Sequence, residues 1–185
     1  MIISLIGVSG SGKGTQAEML KDNFLSISGG RILRDMYLQS SQEGIDLYNN
    51  YWGKGEWVPD NIISKLVLSK VNFQIENILF DAFPRTLAQA ITLDNFLKDN
   101  GRDLSYVFEF NIKKEIVLER IKNREKTELR SDDKSFSTIQ KRILSYYDNI
   151  SMIRDYYKER LVLIDASNSK EVIFRNILSI INNET

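Results

Sequence analysis

The sequence contains no cysteine and no histidine. The first absence excludes disulfides, thiolate zinc sites and cysteine nucleophiles. The second removes imidazole acid–base chemistry and histidine metal ligands. Carboxylates, backbone groups and bound phosphates are left as metal partners, a set that suits Mg²⁺. An excess of either charge is also missing, since 25 Lys and Arg balance 25 Asp and Glu. No net basic field points to nucleic acid, although a local cluster of cations could still hold phosphates. No apolar run approaches the ~18 residues of a membrane span. The N-terminus runs straight into a strand pattern and lacks a signal-peptide profile, so cytoplasmic residence is the expectation. Internal repeats and low-complexity segments are absent. At 185 residues the chain is long enough for one compact domain with a real core.

What is present begins at the N-terminus. Residues 2–6 are apolar and strand-like, and Gly7-Val8-Ser9-Gly10-Ser11-Gly12-Lys13-Gly14-Thr15-Gln16 follows. This reads as strand, phosphate loop, helix. Glycines let successive backbone N–H groups turn toward one point with no Cβ in the ligand's way. A helix starting there adds its positive dipole end. Lys13 would reach the outer phosphates as a point charge. The hydroxyl that commonly follows the lysine is one place later, at Thr15, because Gly14 intervenes.

Further short apolar runs at 24–27, 78–81, 105–110 and 161–165 read as strands. Helical spacing covers 14–22, 31–39, a short piece from Ile45 to Trp52, and a helix beginning at Pro59 and carried by Val71 and Phe73 to about residue 75. It resumes with Leu87, Ala90, Ile91 and Leu97, then over 113–124, then in a long stripe from Phe136 to Tyr157, and last from Val172 to Ile181. The stripe reads as core. Glu109 is an unusual residue inside its strand. Strands alternating with helices predict an α/β fold: five parallel strands covered on both faces. Ligands should then lie beyond the strands' carboxyl ends, which places residues 9–15, 28–30 and 81–85 on one rim. About 50 residues separate the second and third strands, enough for a small inserted lobe.

Arg34, Arg85, Arg120, Arg124, Arg130 and Arg142 lie near strand ends or in the polar segments. Arginine's planar fork pairs with phosphate oxygens and keeps its charge when buried. Arg120 or Arg124 alone would read as a solvated helix face; beside a phosphate loop they become candidates. Asp81 ends a strand, as a carboxylate holding metal-bound water would. By these residues the protein is a kinase or another NTP-using enzyme of the P-loop class. A GTPase switch is disfavoured: there is no Asn-Lys-x-Asp to read guanine and no Asp-x-x-Gly after a strand.

The whole chain resembles the adenylate kinase family of nucleoside monophosphate kinases. Gly12-Lys13-Gly14-Thr15-Gln16 matches that family's loop. Ser28-Gly29-Gly30-Arg31-Ile32-Leu33-Arg34 resembles Ser-Thr-Gly-Asp-x-Leu-Arg. Gly55-Glu56-Trp57-Val58-Pro59-Asp60 resembles Gly-x-Leu-Val-Pro-Asp, and Asp81-Ala82-Phe83-Pro84-Arg85 resembles Asp-Gly-Phe-Pro-Arg. The resemblance implies a P-loop kinase fold with an acceptor lobe at 29–59 and a short lid at 125–134. It implies that Gly10, Ser11, Gly12, Lys13, Gly14, Thr15 and Arg120 hold ATP. Gly29, Arg34, Trp57, Val58, Arg85, Gln89, Arg130 and Arg142 would bind substrate, with Gln89 at the adenine edge. Lys13, Arg85, Arg120, Arg124, Arg130 and Arg142 would serve catalysis, and Thr15 and Asp81 (through water) the Mg²⁺. Arg-Ser-Asp-Asp at 130–133 resembles the lid's Arg-x-Asp-Asp. Gly29, Arg31, Trp57 and Ala82 depart from the family pattern.

The implied reaction moves the γ-phosphoryl of Mg·ATP to a nucleoside monophosphate, AMP first, giving two diphosphates. The alternatives are a UMP, CMP or deoxynucleotide kinase, or a non-catalytic nucleotide-binding protein. The expected partners are nucleotides, with no nucleic acid or membrane, and the expected state is a monomer.

Overall fold

Alternation along the first strand, β1 (Ile2–Gly7), creates two cores at once: Ile3 and Leu5 face one side, Ile2 and Ile6 the other. The computed structural model describes residues 1–125 and 136–182; the side chains of 122–125 and 136 fall outside that description. The other strands are β2 (Leu25–Ser28), β3 (Ile78–Asp81), β4 (Tyr106–Asn111) and β5 (Leu161–Asp165). All pair in parallel, in the order β2-β3-β1-β4-β5. β1 therefore lies at the centre, and the chain leaves it to build one half of the sheet before the other. Such a reversal point opens a crevice at the carboxyl edge.

One face is covered by α1 (Lys13–Met19), α6 (Lys114–Glu125) and α8 (Lys170–Asn182), through Ala17, Val117, Ile121, Ile173 and Ile177. The other face is covered by α4 (Asp60–Leu68) and α5 (Leu87–Asp99), through Val67, Ala90, Leu93 and Leu97. The long α7 (Phe136–Tyr157) serves both cores, with Ile139 and Ile143 in one and Ile150, Ile153 and Tyr157 in the other. Each fully buried side chain of this size contributes roughly 1.5–3 kcal/mol. A third, smaller cluster joins Leu33 of α2 (Gly29–Leu38), Leu47 of α3 (Gln42–Asn50), Trp52 of a short 3-10 turn and Val58. The Tyr37 and Tyr48 rings pack beside it, tilted by 34° with centroids 4.4 Å apart.

Three expectations need correction. α4 stops at Leu68 rather than near residue 75. The Ser69 hydroxyl donates back to Leu66 O at 2.9 Å, and the Asn72 side chain accepts from Gln74 N at 3.0 Å. Such local bonds compete with the helical ladder. Val71 and Phe73 pack on the core from the irregular segment instead. α1 ends at Met19, short of residue 22. Within α5, Ile91 is 41% exposed, and Leu93 is the residue buried. The expected lid and the roles of Arg130, Asp132 and Asp133 lie outside the described residues, as does the side chain of Arg124.

Candidate functional site

At the carboxyl edge of β1 the backbone bends into the glycine loop. Gly10 has φ +86°, and a Cβ there would lie 3.0 Å from Ile121 Cγ1. Only glycine meets both demands, because the left-handed region penalises a side chain and α6 leaves no room for one. Lys13 opens α1 and is 7% exposed; its ammonium donates to Val8 O at 2.8 Å and Ser11 Oγ at 3.3 Å. The first turn of α1 adds N–H groups that lack intrahelical acceptors. Thr15, exposed in that turn, lines the same cleft, as do Ser11, Gly12 and Gly14. The cleft has a volume of about 570 Å³, within the range of small-molecule sites.

The rest of the cleft comes from distant parts of the chain. Arg120 reaches from α6 to Ser11 O at 3.4 Å. Arg34 lines the wall from α2, and Arg142 from α7, where its Nη2 donates to Trp52 O at 2.9 Å. Lys13, Arg31, Arg34, Arg85, Arg120, Arg142 and Lys170 face the cavity against two carboxylates, Glu56 and Asp81. That imbalance selects an anionic ligand.

The β3 exit loop is held at several points. The Ser4 hydroxyl donates to Phe83 O at 2.6 Å inside the core. The Arg85 Nε donates to Ala82 O at 2.9 Å, and its guanidinium lies 5.8 Å from the Trp57 ring centroid. Trp57, a departure from the family pattern, thus supplies an aromatic face behind an arginine that lines the cleft. Gln89 also lines the cleft; its Oε1 accepts from Arg85 N and its Nε2 donates to Asp60 Oδ1. Both ends of that amide are engaged before any nucleotide arrives. Thr86 caps α5 by accepting from Gln89 N, and its hydroxyl donates to Asp60 Oδ2 at 2.8 Å. Gly29 is closely packed: a Cβ would lie 3.1 Å from Ile63 Cδ1. Ile63 occupies the space that the family's threonine side chain would share. Val58 is buried at the cleft wall beside it.

Most of the residues singled out from the sequence therefore share one cavity: Gly10 to Thr15, Gly29, Arg34, Trp57, Val58, Asp81, Arg85, Gln89, Arg120 and Arg142. Sequence reasoning missed Trp52, Tyr146, Asn168 and Lys170, which also line it. Two signals pointed there: Asn168 and Lys170 follow the end of β5, where the carboxyl-edge rule applies, and Tyr146 lies one helical turn after Arg142.

Comparison with known proteins gives the same reading. The family described as Adenylate kinase matches residues 5–162. An adenylate kinase of Flavobacterium psychrophilum is 34% identical over 98% of this chain and 98% of its own length. One of Azobacteroides pseudotrichonymphae is 31% identical over 98% and 97%, and one from a Wolbachia of Drosophila simulans 33% over 97% of each. With the match running nearly end to end, and the phosphate loop and its facing arginines sharing one cleft, the chain belongs to the adenylate kinase family.

Proposed function

We propose that the protein transfers the γ-phosphoryl group of ATP to AMP, forming two molecules of ADP. The observation that carries this reading is that Lys13 and Arg85, from loops after two different strands, face one cleft whose cations outnumber its carboxylates. Lys13, Arg120 and the loop N–H groups hold the donor phosphates. Arg34 and Arg85 hold the acceptor phosphate, with Trp57 and Val58 against its base. An oxygen of the acceptor phosphate bonds to the γ-phosphorus while the bond from that phosphorus to the β-phosphate oxygen breaks, and ADP leaves with the electron pair. The attacking oxygen is already anionic, so no protein base is needed. The protein supplies alignment and charge compensation, the latter from Arg142. Closure of the acceptor lobe at 29–59 would keep water from the γ-phosphate.

Thr15 and Asp81 line the donor end of the cleft, and among the described residues no group of three or more acidic side chains could chelate an ion alone. That donor set fits Mg²⁺, a hard ion taking its remaining ligands from phosphate and water. When bound, it neutralises phosphate charge. No described helix is long and apolar enough to cross a membrane. We read the protein as a cytoplasmic monomer with its cleft built from one chain.

The test is a coupled assay of ATP against AMP, UMP, CMP and dTMP, with AMP the best acceptor. Arg85→Ala should fold normally and lose at least about 100-fold in turnover. Near-normal transfer in that variant rejects the reading.

A further inference from the structure

Glu109 lies in β4, beside β1, and is 1% exposed. The reaction has no use for a carboxylate there. Its oxygens accept from Arg154 Nε at 2.7 Å, Arg154 Nη2 at 2.6 Å and the Tyr146 hydroxyl at 3.0 Å. The two-point grip fixes orientation as well as distance. Burial, and then the neighbouring Glu109 charge, push the Tyr146 hydroxyl well above its ordinary pKa, so it stays a donor. All three donors come from α7.

The same helix carries Arg142, one turn before Tyr146, and both line the cleft. The rest of α7's buried face includes Ile139, Ile143, Ile150 and Ile153. Aliphatic packing fixes which face of the helix is buried, and a two-point ion pair adds a constraint on its fine rotation that depends on direction. Only the carboxylate side of this ion pair is buried, Arg154 being 45% exposed; the best-attested use of ionic contacts reaching into a core is setting register.

We propose that Glu109 is a positioning residue for phosphoryl transfer: by holding Tyr146 and Arg154 it sets the rotation of α7 and aims Arg142 into the cleft. The inference rests on the role given to Arg142 above. Glu109 is not among the residues lining the cleft; its effect passes through the helix.

The test is a mutant cycle in the full chain, with kcat, both KM values and the melting temperature measured. Glu109→Leu should lower kcat about 10- to 100-fold, as a small misplacement of a reacting group does. KM for ATP should stay within about twofold. Glu109→Gln, which still accepts from Tyr146, should recover part of the loss. In an Arg142→Ala background, Glu109→Leu should cost less than about twofold more, because the two changes remove one function. Should Glu109→Leu fail to fold, Arg154→Lys keeps the charge and loses the fork; it should lower kcat about threefold, an effect that vanishes in the same background. Unchanged kcat, or losses that multiply in an impaired Arg142→Ala background, overturns the positioning role alone. Full turnover in Arg142→Ala overturns the role of Arg142 and the inference with it.

Discussion

The Gln89 side-chain oxygen accepts the backbone N–H of Arg85 at 2.8 Å while its amide nitrogen donates to Asp60 at 2.6 Å. The main chain of a cleft-lining arginine is thereby tied to the first turn of α4. Gln89→Leu keeps the bulk, removes both bonds and leaves polar groups in a region where the side chain is 2% exposed. The expected cost is about 1–3 kcal/mol, read as a lower urea midpoint, together with a raised KM for AMP. An unchanged midpoint with unchanged AMP kinetics would falsify this role for the network.

Ala82 has φ +58°, in the left-handed region, at the position where the family pattern carries glycine. A side chain there costs roughly 1–2 kcal/mol, partly offset because glycine loses more entropy on folding. Ala82→Gly should therefore stabilise the protein by about 0.5–1 kcal/mol in denaturant titration. A destabilised variant would show that the Ala82 methyl makes packing contacts worth more than the strain.

Gly55 closes the 3-10 turn with φ +81°, and a Cβ would lie 2.7 Å from Thr138 O in α7. Backbone meets backbone there, so the neighbour cannot yield by rotating a side chain. Gly55→Ala should push the turn away from α7 and disturb the Arg142–Trp52 contact one helical turn along. KM for AMP is expected to rise about tenfold, a loss of about 1.4 kcal/mol, with KM for ATP little changed. Equal changes in both constants would place the defect elsewhere.

Tyr146 and Tyr157 are both held well above the ordinary tyrosine pKa, first by burial and then by the charges of Glu109 and Asp94. A folded-state pKa raised in this way contributes stability that is full below the unfolded value of about 10 and is lost as pH climbs toward the folded one. In a spectrophotometric titration of the folded protein to about pH 11, Tyr146 and Tyr157 should stay silent. They should appear together with unfolding, and Tyr146→Phe should leave the folded-state signal unchanged. A loss of signal in that variant would mean that the hydroxyl ionises freely.

Legibility followed the range of the interactions. The phosphate loop was readable because its demands are local: a strand end, glycines at fixed offsets and a lysine at the helix start. The five strands were readable because apolar runs bounded by turns survive in any context. The end of α4 was not, since apolar spacing continues through Val71 and Phe73 while Ser69 and Asn72 bond to their own backbone. Glu109 looked anomalous in the sequence and is explained only by Arg154 and Tyr146, which lie far along the chain. Asn168 and Lys170 were reachable by the carboxyl-edge rule and were overlooked because neither belongs to a phosphate-binding motif.

From its sequence alone this protein is determined to be an α/β phosphate-binding chain, because backbone preference, alternation and glycine placement act over a few residues. Which arginines meet, what backs them, and how α7 is oriented against the sheet were decided only in three dimensions. Those contacts join residues tens of positions apart, and a one-dimensional pattern carries no distance between them.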